Sequence, residues 1–208
     1  MTRYDPLRHH RRSIRLKGYD YTQAGAYFVT VCAHGRECLF GEVAEGEMRL
    51  NDYGRIVAST WEWLAEQYPY VELDEWVVMP NHVHGIVVMV DDTGRGESPT
   101  DEDVLSTRRG GSRPAPTADK PKRKPLGQLI GSFKTVSAKR INQMRAAPGA
   151  PVWQRNYYER IVRNERALNA IRQYIANNPL KWALDRDNPT LARPLAATMD
   201  DYWREAGA

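Results

Sequence analysis

The 208-residue sequence predicts an α+β fold built on one antiparallel sheet with helices packed on one face. Three observations carry that prediction. Short runs rich in β-branched and aromatic residues alternate with three helix-period stretches, their order reads strand, helix, two strands, helix, strand, helix, and one run, 83–90, turns apolar on both sides beyond Ile86. With 41% hydrophobic and 27% charged residues the chain has enough apolar surface for a core, and is too mixed to be disordered throughout.

Residues 1–18 form a basic arm without periodicity. The first strand is 26–33, AYFVTVCA, whose residue types pack well on a pleated surface. Glycines 35, 41 and 46 then punctuate a hairpin-like excursion, with 42–44 and 48–50 as edge strands. A helix starts at Asn51 or Asp52, either of which can cap it, carries Ile56, Val57, Trp61 and Leu64 on one side, and ends before Pro69. Two strands, 71–79 and 83–90, follow, joined by a turn at Pro80 and Asn81.

Residues 91–125 are dominated by Asp, Gly, Arg, Ser and Pro and are too long and polar for an ordinary loop, so they read as a disordered insertion, acidic first and basic second. An amphipathic helix over 126–144 comes next, with Leu129, Ile130, Phe133, Val136 and Ile141 inward and Lys134, Lys139 and Arg140 outward. The segments 152–154 and 159–163 look like a broken last strand, and a final helix runs from 165 to 177, stopped by Asn178 and Pro179. A polar tail occupies 184–208. This order is the split βαβ plan of a ferredoxin-like, or RRM-like, sheet over residues 19–183, with its uncovered face left to meet a ligand. There is no internal repeat.

Charge and cysteine content narrow the partner classes. Thirty Lys and Arg against 26 Asp and Glu leave a formal charge of +4, clustered at Arg3, Arg8, Arg11, Arg12, Arg15 and Lys17 and again across 108–124. Clusters of this kind suit a polyphosphate partner. Two cysteines, Cys32 and Cys38, make neither a disulfide framework nor a zinc ribbon. No apolar run approaches the roughly 20 residues of a membrane span, and no apolar stretch follows the basic N-terminus as in a secretory signal, so a reducing cytoplasm is the expected compartment.

Two local patterns carry chemistry. In Met79-Pro80-Asn81-His82-Val83-His84 the histidines sit two apart, and on a strand they would share a face about 7 Å apart, as two ligands of one metal ion would. Taken alone, such a pair serves equally as packed or surface residues. In the last helix Tyr174 borders the apolar stripe of Leu168, Ile171 and Ile175 and shares a face with Asn178, four residues on. Taken alone, that phenol is a residue at the rim of the core with its hydroxyl in water.

Four segments in this order, 11–21 (RRSIRLKGYDY), 79–84 (MPNHVH), 152–158 (VWQRNYY) and 174–179 (YIANNP), resemble the REP-associated tyrosine transposases, which are single-tyrosine HUH enzymes. The resemblance covers about residues 11–183 and implies the HUH transposase fold. It implies that His82 and His84 bind Mg²⁺ or Mn²⁺, that Asn178 completes the metal shell, and that Tyr174 attacks a DNA phosphate, giving a 5′-phosphotyrosine and a free 3′-hydroxyl. A phenol titrates near pH 10 in water and the phosphate is an anion, so an ion that orients and neutralises the phosphate fits this chemistry. Imidazole ligands favour Mn²⁺ over Mg²⁺.

The resemblance also implies single-stranded or hairpin DNA as the partner. Arg11, Arg12, Arg15 and Lys17 of the arm, with Lys134, Lys139 and Arg140, are then expected to grip hairpin phosphates. Trp153, Arg155, Tyr157 and Tyr158 would meet unpaired bases. Tyr157 and Tyr158 are also rival nucleophiles. Two other functions stay open: a ferredoxin-like module that binds single strands without cutting them, and a replication initiator or relaxase using the same chemistry. Monomer and homodimer are both compatible with the sequence.

Overall fold

The structure, a computed structural model, describes residue 16 and residues 18–91, 123–185 and 187–189. Arg11, Arg12, Arg15 and Lys17, most of the 91–125 insertion and most of the tail lie outside the described residues. Along the chain come β1 (Gly25–Cys32), β2 (Gly41–Ala44), β3 (Glu47–Leu50), α1 (Asp52–Gln67), β4 (Val71–Met79) and β5 (His82–Met89). They are followed by α2 (Leu126–Met144), β6 (Tyr158–Val162), α3 (Glu165–Ala176) and a one-turn α4 (Asn178–Lys181). The main sheet has the order β4-β5-β1-β6, and every pairing in it is antiparallel. Strands β2 and β3 pair only with each other among the described residues.

Local chemistry sets the element ends. Asn51 caps α1 by accepting from the Gly54 amide at 2.9 Å, and Asn164 caps α3 by accepting from Ala167 at 2.8 Å. The expected stop of the last helix shifts by one residue: α3 closes at Ala176, Asn177 breaks the run, and α4 resumes with Pro179 in its first turn. Proline is tolerated there because its missing N–H would have had no helical partner. The expected 152–154 strand is a single bridge between Ala33 and Trp153, and the strand proper begins at Tyr158.

Side-chain alternation divides the sheet into two faces. Tyr27, Val29 and Val31 of β1 and Val83, Val87 and Met89 of β5 face one way and pack under α1 and α2 with Trp61, Leu64, Leu129, Ile130 and Phe133. Gly85 belongs to this contact: a Cβ there would stand 2.5 Å from Trp61 Cζ2, so glycine lets the indole lie on the sheet. The even-numbered residues Phe28 and Ile86 point the other way and meet Ile171 and Ile175 of α3. The expectation of helices on one face is therefore corrected: α1 and α2 cover one face, and α3 lies across the other. Its own apolar stripe needs a surface, and the large core has already claimed the first face.

The ends of the insertion are held to the body. Arg123 pairs with Asp91 at 3.3 Å and lies over the Tyr70 ring, and Lys124 Nζ donates to the Tyr68 hydroxyl at 3.1 Å. No helix among the described residues is long and apolar enough to cross a membrane.

Candidate active site

The site forms where β1 and β5 run side by side beneath α3. Cross-strand register pairs Thr30 with His84 and Cys32 with His82, so both imidazoles emerge on the α3 side of the sheet. Their ring centroids are 4.4 Å apart, and both residues are almost wholly buried. Tyr174, two turns into α3, reaches down to them: its hydroxyl stands 3.3 Å from His84 Nε2. Phe28 stacks on His84 at 5.5 Å and meets Tyr174 edge-on at 6.2 Å, filling the space behind the pair.

Each imidazole is oriented through its Nδ1. Asn81 Nδ2 donates to the carbonyls of Arg36 and Asp187 at 3.0 and 2.6 Å, which fixes the direction of the amide and leaves Oδ1 as the acceptor. His82 Nδ1 lies 2.8 Å from that oxygen and must be the donor, so the lone pair of the neutral ring sits on Nε2. His84 Nδ1 lies 2.8 Å from Thr30 Oγ1, a hydroxyl that can accept from the ring or donate to it. Backing of this kind sets ring orientation and basicity in metal-binding histidines.

Asn178 opens α4, is 2% exposed, and its Oδ1 has no hydrogen-bond partner among the described residues. A buried amide oxygen in that condition is costly unless something binds it. Imidazole nitrogens and an amide oxygen are donor types that divalent ions accept. No group of three or more His, Cys, Asp and Glu able to hold a metal occurs among the described residues.

A cleft of about 190 Å³ opens on the site, walled by Thr30, Cys32, Arg36, His84, Tyr174 and Asp187, with Gln154, Asn156, Tyr157 and Tyr158 along one side. Tyr157 and Tyr158 therefore lie on the cleft. Arg155 is exposed on the same loop.

Trp153 is corrected. It is buried, its indole N–H donates to Ser137 Oγ at 2.9 Å, and its ring packs on Phe40 and Phe133, so it cannot meet a base. Its bridge to Ala33 turns the side chain inward.

Lys134 is also corrected, because it does not point freely outward. Its ammonium donates to the carbonyls of Gln154 and Asn156 at 2.8 and 2.7 Å and sits 5.7 Å from the centre of the Tyr157 ring, bracing the cleft loop. Burial pushes its pKa down to about 8. Lys139 and Arg140 are exposed on α2, in the helix layer across the sheet from the histidines, and Arg140 donates to Thr60 Oγ1 at 3.2 Å.

Sequence reasoning passed over several site residues. Thr30 is the polar residue inside an otherwise apolar strand, which was a usable signal. Asp187 falls in the stretch expected to be a polar tail, yet it is 7% exposed and its carboxylate accepts from Arg36. Asp74 lies where a bulge interrupts the β4–β5 register, and it receives Arg172 through two bonds, Nε at 2.8 Å and Nη2 at 2.6 Å. That pair holds α3 to the sheet two residues before Tyr174, and the guanidinium keeps the Asp74 carboxyl below its usual range.

Three comparisons bear on this arrangement. No protein-family model matches the chain. An uncharacterized protein of Haemophilus influenzae (strain Rd) is 38% identical over 188 residues, covering 89% of this chain and 97% of that protein. Among solved structures, a REP-associated tyrosine transposase bound to a REP hairpin superposes with a TM-score of 0.50 at 17% identity, over 82% of this chain and 74% of that one. The two share a fold.

Proposed function

We propose, for a chain that belongs to one family with the Haemophilus influenzae protein and has the fold of a REP-associated tyrosine transposase, that it cuts and rejoins single-stranded DNA, with Tyr174 as nucleophile. The observation that carries this reading is the convergence of Tyr174 with His82 and His84: a phenol 3.3 Å from one of two imidazoles whose ring centroids are 4.4 Å apart, beside an open cleft that His84 and Tyr174 line. A site built this way can hold a phosphodiester beside its nucleophile.

In the proposed step the Tyr174 oxygen forms a bond to phosphorus and the bond from phosphorus to the 3′ oxygen breaks. The 3′ oxygen leaves with the bonding pair and takes up the proton that the phenol releases. His82, His84 and the Asn178 amide oxygen would hold Mg²⁺ or Mn²⁺, which when bound supplies charge neutralisation on the phosphate. Asn81 and Thr30 keep the imidazoles aimed. Phe28 and the α3 stripe exclude water from behind the tyrosine. Tyr157 and Tyr158 offer aromatic surface to unpaired bases beside the scissile bond. The REP hairpin held by the structural neighbour makes hairpin DNA the natural first substrate to try.

The test is to incubate the protein and Mn²⁺ with a library of 5′- and 3′-labelled single strands, each a hairpin flanked by randomised tetranucleotides. Covalently trapped strands are then recovered under denaturing conditions. An adduct that requires Mn²⁺ and disappears in His82→Ala is expected. Binding without any adduct, and without dependence on divalent ions, would favour the non-cutting module instead.

A further inference from the structure

The mechanism above leaves one cation of the cleft without a role. Arg36 closes the single turn His34–Arg36 that follows β1, and it does so with φ of 57°, a left-handed conformation that a residue with a side chain rarely adopts. Such a conformation persists only where surrounding contacts enforce it, and it is commonest at functional sites. The enforcing contacts are present: the Arg36 amide donates to Ala33 O at 3.1 Å, its carbonyl accepts from Asn81 Nδ2 at 3.0 Å, and its Nη1 donates to Asp187 Oδ1. Asp187 is itself buried, and its main chain is tied to Asp185 and Asn81. Half of the Arg36 side chain remains exposed, on the wall of the cleft that also carries His84 and Tyr174.

We propose that Arg36 is a catalytic residue that donates to a non-bridging oxygen of the scissile phosphate as charge builds on it, with Asp187 as its positioning residue. This deepens the reading of the cleft as a phosphodiester site and rests on it. A guanidinium carries five N–H donors in a rigid plane, and the bond to Asp187 uses one edge, leaving the other directed by the same contact. Its entropy loss is therefore met in the free protein, as suits a donor to an anion that gains charge in the transition state. Asn81 bonds the Arg36 carbonyl through its amide nitrogen and His82 Nδ1 through its oxygen, so the turn that carries the cation is tied to the imidazole. The nucleophile, the imidazole pair and the cation then approach the phosphate from α3, β5 and the β1 turn.

The decisive variant is Arg36→Gly, because glycine adopts positive φ without strain and the turn should be kept while the guanidinium is lost. The substrate is a hairpin strand recovered with wild-type protein in the library experiment. The expected result is a fall of about 100-fold in the rate of adduct formation at saturating DNA, with the half-saturating DNA concentration and Mn²⁺ affinity nearly unchanged. Arg36→Lys should recover part of the rate, and Asp187→Asn should show an intermediate loss. An Arg36→Gly rate within threefold of wild type would overturn the proposal and leave the pair as a strap of the fold. If Arg36→Gly does not fold, Arg36→Lys decides: a loss of about tenfold at unchanged melting temperature supports the role, and a wild-type rate overturns it. A wild-type protein that traps no strand from the library would instead count against the proposed function itself.

Discussion

On one face of the sheet β1 presents Tyr27, Val29 and Val31 to two helices, and on the other, one residue out of step, it presents Phe28, Thr30 and Cys32 to one helix and a cleft. The first face is covered by aromatic and aliphatic side chains in mutual contact, such as Trp61 on Phe133 at 5.1 Å and Phe133 on Trp153 at 5.3 Å. The second has a smaller buried apolar cluster, Phe28, Ile86, Ile171 and Ile175, and beside it a set of oriented polar groups. The comparison teaches a division of labour. Stability is concentrated where no substrate can reach, so the opposite face can hold histidines, a tyrosine and a buried amide whose desolvation the rest of the fold must offset.

Four changes would break or sharpen this division. The largest effect is expected from Tyr174→Phe, which should abolish adduct formation by at least about 1,000-fold while leaving the melting temperature within a few degrees, since a single partly buried hydroxyl contributes about 1 kcal/mol. Phe133→Ala on the other face should do the reverse, costing about 3–5 kcal/mol in denaturant unfolding and sparing the specific activity of the protein that remains folded.

A third change tests the seam between faces. Asp74→Asn weakens the two-bond contact to Arg172, and it should lower adduct formation by about tenfold through a looser α3, with a smaller loss of stability. Because the folded Asp74 carboxyl titrates below its usual value, its contribution is present above the unfolded pKa and is lost as pH falls through the lower, folded one. An acid-limb comparison of wild type and Asp74→Asn by thermal melts checks that direction.

The smallest effect belongs to Lys134. The folded ammonium releases its proton near pH 8, whereas the unfolded one holds it to 10.5, so between these values the unfolded chain binds more protons and stability rises with pH. Thermal melts between pH 8 and 10 should show that slope in wild type and lose it in Lys134→Met.

How much was legible in the sequence follows the same division. The first face was readable because its period is strong: α2 and β4 occupy the residue ranges that hydrophobic spacing predicts. His82 and His84 were readable as a pair because strand geometry alone puts them on one side. The spacing of α3 told which of its residues were buried but not against which face of the sheet, since both faces offer apolar partners.

Trp153 was misread for a related reason: an indole beside an arginine suits stacking on bases, and a single bridge to Ala33 decides its direction. Arg36 and Asp187 lie 151 positions apart, and no local pattern in either segment announces their contact. The polar supports of a site are long-range facts.

The most direct test is to digest the trapped protein–DNA adduct and identify by mass spectrometry the side chain that carries the 5′-phosphate. The account expects the label on the peptide containing Tyr174, in a reaction that needs a divalent ion. A label on Tyr157 or Tyr158 instead, persisting in Tyr174→Phe, would contradict the assignment of α3 as the nucleophile's helix.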